Sequence, residues 1–318
     1  MRKVVNDVRL MVKVCDMYYN QNISQLQIAK SLELSRPTVS RLLASAKEQG
    51  IVQINISYLD GINHWELERK LEAMYNLSDV LIADEQDSPE ELKKALGRLA
   101  AGHLAYIIKE GDVIGVSMGS TLREIAPNVS VDKKKDITFV SLIGGMGNLG
   151  SDLHSNSLAE SLAIAYGGKF VPFHAPARVS NPNIKEELLK EDSLSAAIGF
   201  MHRLDIVLVG IGYPNENSAI MRTGYFEENE IEKLISKNVA GDICMQFYDE
   251  DGNTSPFKED NNVVGIDIHQ LKKVPHSIGI AGGTDKLSAI RGAIKGRYIN
   301  TLITDISCAQ ALLEQPHI

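Results

Sequence analysis

Seven residues of the 318-residue chain could hold a phosphate group, and they occur in three stretches that each follow an apolar run. Glycines let the backbone approach a ligand closely, and amides and hydroxyls at a helix start donate hydrogen bonds to phosphate oxygens. A lysine adds the opposite charge. The three stretches therefore indicate a site for a small phosphorylated molecule. They contain Gly119, Ser120 and Thr121 in VIGVSMGST, Gly144 and Gly145 in FVSLIGG, and Gly283 and Lys286 in IGIAGGTDK.

Lys286 is the most informative of these residues. It falls in the first turn of a predicted helix capped by Thr284, where a positive charge is unfavourable unless an anion lies nearby. None of the three stretches has the GxxxxGK[ST] phosphate-loop pattern or the full GxGxxG spacing, which argues against nucleoside triphosphates and dinucleotides. For each glycine stretch taken alone, a tight turn after a strand is an equally good interpretation.

Alternating strands and helices from Asp79 to the C-terminus must position these stretches. Continuous apolar strands between helices are typical of a parallel sheet covered on both faces, so the predicted fold class is α/β. In such a sheet, ligands bind beyond the carboxyl ends of the strands, which is where the three stretches fall. The apolar segments lie at residues 79–84, 113–117, 137–143, 169–173, 205–212, 277–283 and 301–305.

Residues 23–50 have a different pattern, that of two short helices joined by a tight turn. Ser24 and Gln27 have capping-box spacing, and Ser35 caps a second helix with Pro37 in its first turn. Leu26 is expected on the inward face. This is the layout of a helix-turn-helix, whose second helix enters the major groove of DNA. The candidate DNA contacts are Ser24, Gln25, Ser35, Arg36, Thr38, Ser40 and Arg41.

The segments around these two helices also bear on DNA binding. Residues 51–59, IVQINISYL, alternate like a strand and could form the wing of a winged helix. Met1 to Asp60 contains eight Lys and Arg against five Asp and Glu, a net charge of +3, whereas the whole chain carries −8. A cationic module on an acidic body suits local phosphate contact, although so small an excess could arise by chance.

An amphipathic segment, INHWELERKLEAMY at residues 62–75, joins the two patterns. It is either a packed linker or a dimerisation helix, since paired helix-turn-helix units match palindromic operators. The predicted organisation is a DNA-binding domain at residues 1–60, this linker or dimerisation helix at 61–77, and an effector-binding and oligomerisation domain at 78–318.

Composition excludes several other classes of protein. No apolar run approaches the roughly 20 residues that span a bilayer, and charged residues interrupt the N-terminal segment, so neither a membrane anchor nor a signal peptide is expected. The three cysteines are scattered without metal-ligand spacing. The sequence predicts a cytoplasmic protein with no metal and no cofactor.

The set SRPTVSRLL, GVSMGST, LIGG, RTGYF, VAGDI and AGGTDK resembles the SorC family of bacterial sugar-responsive transcriptional regulators over essentially the full chain. The resemblance implies a winged helix-turn-helix fused to an effector domain similar to sugar-phosphate isomerases. It also implies a homo-oligomer, dimer or tetramer, that responds to phosphorylated sugars. Arg222 and Asp242 would join the effector pocket. Arg222 and Lys286 would neutralise a phosphate, and Asp242 would accept hydrogen bonds from sugar hydroxyls.

One position departs from the family pattern. Regulators of deoxyribonucleoside use carry a lysine before the paired glycines that can form a Schiff base, and other members carry an arginine there for a second phosphate. In this chain the position is Ile143. Covalent capture and a bisphosphate are therefore disfavoured, and a monophosphorylated sugar or polyol is expected.

These observations favour a transcriptional regulator that binds operator DNA of a carbohydrate-utilisation operon under control of a phosphorylated sugar or polyol. The alternative is an isomerase-type enzyme with an appended DNA-binding domain. Isomerisation needs a base over the sugar carbon and usually a second acid. Asp242, His154 and His174 could be considered for such roles, but no paired constellation demands catalysis, and the protein is not expected to be an enzyme.

Overall fold

A computed structural model describes residues 7–52, 64–130, 136–145, 151–215, 218 and 224–314. Most of the predicted wing and Arg222 lie outside the described residues. The chain divides between residues 63 and 64 into two compact units, each with its own hydrophobic core.

The described part of the N-terminal unit contains three α-helices, α1 (Val8–Cys15), α2 (Gln25–Ser31) and α3 (Arg36–Glu48), with a π-helical turn at Asp16–Asn20. Their apolar faces meet in a core in which Met11, Ile28 and Leu42 are fully buried. Four residues, 32–35, connect α2 to α3.

Side-chain caps define the starts of α2 and α3, as the sequence predicts. The Ser24 hydroxyl accepts from the Gln27 amide at 3.4 Å, and Gln27 Oε1 accepts from the Ser24 amide at 3.2 Å. The Ser35 hydroxyl accepts from the Thr38 amide at 3.3 Å. Each such cap stabilises a helix by about 1 kcal/mol, so the two helix starts are fixed locally.

The C-terminal unit is built on a seven-stranded parallel sheet with the strand order β1-β9-β8-β5-β2-β3-β4. The α/β prediction with a mainly parallel sheet is confirmed. Two further strands among the described residues, β6 and β7, form a separate antiparallel hairpin that was not predicted from the sequence. The strands are β1 (Asp79–Ala83), β2 (Val113–Val116), β3 (Thr138–Ser141), β4 (Lys169–Val171), β5 (Ile206–Gly210), β6 (Gly241–Ile243), β7 (Gln246–Tyr248), β8 (His276–Ile280) and β9 (Thr301–Asp305).

Helices cover both faces of the sheet. One face packs against α5 and α7, and the other packs against α4, α9, α10, α11, α12 and the hairpin. In β5, Ile206 and Leu208 face the first layer while Val207 and Val209 face the second, which explains its uninterrupted apolar sequence. The helices are α4 (Trp65–Tyr75), α5 (Pro89–Ile107), α6 (Ser120–Arg123), α7 (Ser155–Tyr166), α8 (Pro182–Leu188), α9 (Asp192–Met201), α10 (Glu228–Ser236), α11 (Leu287–Lys295) and α12 (Ile306–Glu314).

The helix predicted as a linker or dimerisation element, α4, packs within the C-terminal unit along one face. Leu71 is fully buried against the core, and the Tyr75 hydroxyl donates to the Leu312 carbonyl at 2.8 Å. Its neighbours are β1 and α12.

The chain order creates a switch point between β2 and β5. From β2 the chain continues to β3 and β4 on one side, and it then returns to β5 on the other side. The connections diverge at this point and leave a crevice at the carboxyl ends of the strands, the usual ligand position in open α/β sheets.

Candidate ligand-binding site

A cavity of about 570 Å³ lies at this switch point. Its walls are the segments that follow five of the parallel strands, together with the β6–β7 hairpin. The size suits a small metabolite. The wall segments are residues 85–89 after β1, 117–122 after β2, 210–213 after β5, 282–286 after β8, and Asp305 and Ser307 at the end of β9.

Six of the nine ligand residues predicted from the sequence line this cavity. They come from two different strand ends and the hairpin, and are separated by up to 167 positions in the chain, from Gly119 to Lys286. The six are Gly119, Ser120, Thr121, Asp242, Gly283 and Lys286.

The segment after β2 is less helical than the sequence predicts. The helix that starts in this segment, α6, has only four residues, and a 3₁₀ turn at Ala126–Asn128 follows it. Such a short helix has little macrodipole, so an anion here would be bound by local donors and not by a helix field. Gly119 has φ +141°. A residue with a side chain would be strained in that conformation.

Lys286 reaches the cavity from a 3₁₀ turn. Thr284–Lys286 forms this turn ahead of α11, and Thr284 makes no side-chain cap, so the predicted cap is wrong. Lys286 is half-buried, and desolvation lowers the pKa of its ammonium, while the carboxylates of Asp285 and Asp242 act in the opposite direction. A desolvated ammonium on a cavity wall is a favourable partner for a bound anion.

Asp305 fixes the loop that carries Lys286. Its Oδ2 accepts from the Gly283 amide at 2.7 Å, and its Oδ1 accepts from the Cys308 amide at 3.0 Å. One buried carboxylate thus caps α12 and holds the glycine loop after β8. The Gly283 amide is therefore occupied within the protein. Asp305 is not among the site residues predicted from the sequence, although an aspartate ending an apolar strand is a usable signal.

Asp242 is the most unusual group on the cavity wall. It is 6% exposed, and its Oδ1 has no hydrogen-bond partner among the described residues. Its backbone pairs in both directions with Gly212, at 2.9 and 3.0 Å. A side chain at Gly212 would overlap Oδ1 of Asp242. Burial raises the pKa of the Asp242 carboxyl to about 7. The hydrogen bond from the Met245 amide and the positive charge of Lys286 lower this pKa, but burial has the larger effect.

The hairpin turn beside Asp242 holds two residues in left-handed conformations. Cys244 and Met245 have φ +53° and +56° between β6 and β7, as in a type I′ turn, which usually contains Asn and Gly. The Cys244 thiol donates to the Ser117 hydroxyl at 3.3 Å, and burial raises the pKa of Cys244 to about 12. The turn sequence therefore gave no signal for this part of the wall.

The predicted residues Gly144 and Gly145 do not line the cavity. A Cβ at Gly144 would overlap the carbonyl oxygens of Ala175 and Pro176, and a Cβ at Gly145 would lie 3.0 Å from Nδ1 of His154. Both glycines stand where backbone or side chains pass closely. Ile143 is 1% exposed and belongs to the hydrophobic core.

The charged groups on the cavity wall are mostly acidic. Among the described residues, two lysines face five carboxyl groups. Carboxylates accept hydrogen bonds from hydroxyls, whereas a second anionic group on a ligand would be repelled. The set is Lys93, Lys286, Glu85, Asp87, Asp242, Asp285 and Asp305.

In the N-terminal unit, the predicted DNA contacts lie on the outer side of α2 and α3. Five of the seven are exposed, while Gln25 and Thr38 are half-buried. Val39, Leu42 and Ala46 line the opposite, buried face of α3. Leu26 is 68% exposed, so its expected inward position is wrong. The exposed residues are Ser24, Ser35, Arg36, Ser40 and Arg41.

Comparisons with known proteins agree with this architecture. Residues 61–314 match the family model described as "Putative sugar-binding domain". The chain is 34% identical over 312 residues to the sorbitol operon regulator of Klebsiella pneumoniae, covering 97% of this chain and 99% of that protein. The chain belongs to the SorC family of transcriptional regulators.

Two further similarities support membership of the SorC family. The deoxyribonucleoside regulator of Bacillus subtilis is 32% identical over 96% of this chain and 97% of its own length. The crystal structure of full-length SorC from K. pneumoniae superposes with a TM-score of 0.73, covering 97% of this chain and 99% of that one. These SorC-family proteins are named as regulators, one of a sorbitol operon and one of deoxyribonucleosides.

Within the described part of the chain, no helix is long and apolar enough to cross a bilayer. The same residues contain no cluster of three or more His, Cys, Asp or Glu side chains suited to a metal ion.

Proposed function

We propose that this SorC-family protein binds operator DNA of a carbohydrate-utilisation operon and that a monophosphorylated sugar or polyol in the cavity controls this binding. The N-terminal unit would be the DNA-binding domain and the C-terminal unit the effector domain. The active form would be a dimer or tetramer, because paired recognition helices match the symmetry of palindromic operators.

The observation that carries the proposal is the convergence of chemically matched groups on one cavity. Lys286 with the hydroxyls of Ser120 and Thr121 offers a place for one phosphate. Asp242 offers a carboxyl oxygen with no partner among the described residues, which could accept from a hydroxyl. Among the described residues the wall is predominantly acidic, with Lys286 and Lys93 as its basic side chains, which favours a ligand that has several hydroxyls and a single anionic end.

The DNA-binding part of the proposal rests on α3. Its first two turns carry exposed Arg36, Ser40 and Arg41, while the opposite side is the core of the unit. Arginine pairs bidentately with guanine in the major groove, and hydroxyls reach bases or phosphates. We propose Ser24, Gln25, Ser35 and Thr38 as further contacts. Arg222 is retained as a proposed phosphate ligand outside the described residues.

A thermal-shift panel with the full chain tests the effector assignment. Monophosphorylated hexitols and pentoses should raise Tm, since a ligand that binds only the folded state stabilises it in proportion to occupancy. Unphosphorylated parents and bisphosphates should have little effect. Lys286→Ala should abolish the shift, whereas the exposed control Lys273→Ala should retain it. A panel in which no monophosphate raises Tm would refute the effector assignment.

The DNA assignment has its own test. Arg36→Ala should weaken binding to DNA from the operon upstream region by about tenfold, as expected for losing one guanine contact of 1–3 kcal/mol. Effector-induced stabilisation should remain. Equal loss of both activities would argue against two separate sites.

An isomerase-type activity is the second candidate, because the pKa of about 7 at Asp242 suits a general base. No histidine is among the described residues on the cavity wall, so a second acid would have to be one of the four other carboxyl groups there. No hydrogen bond among the described residues pairs the Asp242 carboxyl with any of them, so the wall shows no acid–base pair. We expect no turnover of pentose or hexose phosphates. Turnover that disappears in Asp242→Asn would reverse this ranking.

A further inference from the structure

The first helix of the C-terminal unit is attached to the edge of the sheet by an unusual set of bonds. Glu72 Oε1 accepts from the Val80 amide at 3.3 Å, and Glu68 Oε1 accepts from the Ile82 amide at 3.0 Å. His64 Nε2 lies 2.7 Å from Oδ1 of Asp84. We call this set, formed by His64, Glu68 and Glu72 with residues 80, 82 and 84, the edge ladder.

The edge ladder is regular because the periods of helix and strand match. Four helical residues advance about 6 Å, and two strand residues advance about 6.6 Å. Residues 64, 68 and 72 therefore meet residues 84, 82 and 80 in antiparallel order. Alternate amides of β1 point away from β9, and the two glutamates take up those at Val80 and Ile82. The helix is thus held in a defined register along β1.

The two elements that hold α4, β1 and α12, both reach the cavity. β1 continues directly into Glu85–Ser88 of the cavity wall. The Leu312 carbonyl that accepts the Tyr75 hydrogen bond belongs to α12. This helix begins directly after Asp305 and contains Ser307, and both residues lie on the same cavity wall. In sequence, α4 is also the first helix after the N-terminal unit.

We propose that the edge ladder is a conformational device that transmits occupancy of the cavity to α4, and so to the segment that leads to the N-terminal unit. The proposal rests on the proposed function, since it assigns the route by which the same cavity acts. Coupling requires an element whose position both sites bias. A displacement of residues 85–88 by a ligand would pull β1, and the ladder would carry that displacement along α4. Glu68 and Glu72 are positioning residues in this scheme and do not touch the ligand.

The ladder can be tested without any ligand by amide hydrogen exchange on the full chain. In Glu68→Ala/Glu72→Ala, exchange at Val80 and Ile82 should accelerate by roughly fivefold, the loss expected for one amide hydrogen bond. The acceleration should extend into residues 85–88. Glu66→Ala, on the exposed side of α4, removes one glutamate carboxylate from the same helix without touching the ladder, and should leave both regions unchanged. Acceleration confined to α4 and β1 would overturn the proposal.

A conservative variant separates the ladder from general destabilisation. Glu68→Gln/Glu72→Gln keeps an amide oxygen as acceptor at each position, and it should restore most of the protection at Val80 and Ile82. If the glutamine variant exchanges as fast as the alanine variant, the bonds of the ladder are not what hold the two elements together.

A second arm adds hexitol 6-phosphate as the probe. In the wild type, exchange should slow in both residues 85–88 and α4, whereas in the double alanine variant it should slow only in 85–88. Protection of 85–88 without any response of wild-type α4 would refute the transmission route. If neither hexitol 6-phosphate nor pentose 5-phosphates slowed exchange in any segment, the proposed function would be contradicted. The ligand-free comparison of the variants would then still test whether the edge ladder couples α4 to residues 85–88.

Discussion

Two glycine-rich strand ends in this protein look alike in sequence but have different surroundings. After β8, Gly283 and Lys286 lie on the cavity wall, and a buried carboxylate of Asp305 holds the loop in place. After β3, Gly144 and Gly145 lie against backbone carbonyls and a histidine, away from the cavity. After β8, glycine permits a backbone conformation that other residues rarely adopt, whereas after β3 it leaves space for neighbouring carbonyl groups and a histidine side chain. A paired glycine after a strand therefore does not show by itself whether the position serves a turn conformation or close packing.

The largest effect that should distinguish the cavity from the packed strand end comes from Asp242. The pKa of the Asp242 carboxyl is about 7 in the folded state and 3.8 in an exposed reference. Between these two pH values the folded protein therefore keeps a proton that the unfolded chain has lost. Stability should therefore fall as pH rises from about 4 to about 7, by an amount on the order of 4 kcal/mol. Asp242→Asn should remove this slope in urea unfolding measured at several pH values. An exposed carboxyl on the same wall, changed by Asp87→Asn, should leave the slope intact.

The next largest effect should come from the packed strand end. Gly144→Ala introduces a Cβ that overlaps the carbonyl oxygens of Ala175 and Pro176, so the backbone must shift. We expect a loss of about 3 kcal/mol in unfolding free energy, at the upper end for overpacking. Gly102→Ala, in α5 with open space around it, is the matched control and should stabilise slightly. A mild effect of Gly144→Ala would remove the contrast between the two strand ends.

The smallest effect should come from the cavity loop. Gly283 has φ +97°, where L-residues are strained, and Gly283→Ala should cost about 1–2 kcal/mol. A Cβ there would lie 2.5 Å from Oδ1 of exposed Asp285, which can move. The variant should lose stabilisation by hexitol 6-phosphate in thermal-shift titrations, because the loop that presents Lys286 is displaced. Full retention of that stabilisation would show that the loop's exact backbone conformation is not needed.

Local signals explain what the sequence could predict. The caps at Ser24 and Ser35 and the uninterrupted apolar strands are properties of neighbouring residues, and the structure reproduces them. The gathering of Gly119 and Lys286 at one cavity follows from a general rule for parallel sheets.

Non-local packing explains what the sequence could not predict. The hairpin turn at Cys244 and Met245 lacks the usual Asn-Gly signal, and its conformation is fixed by burial within the unit. The role of Asp305 depends on two amides that only tertiary structure brings to it. The separation of Gly144 from the cavity likewise depends on where residues 175 and 176 pass.

The edge ladder also affects how the sheet meets other molecules. An open edge strand presents unpaired amides to which a strand from another chain can add, and this is a common route to aggregation. On β1, two outward amides are already bonded to Glu68 and Glu72, with α4 lying alongside. At the opposite edge, β4 is only three residues long and begins with exposed Lys169, which pairs with Asp136 at 3.1 Å. Both edges are therefore closed to sheet extension, one by a helix and the other by shortness and charge.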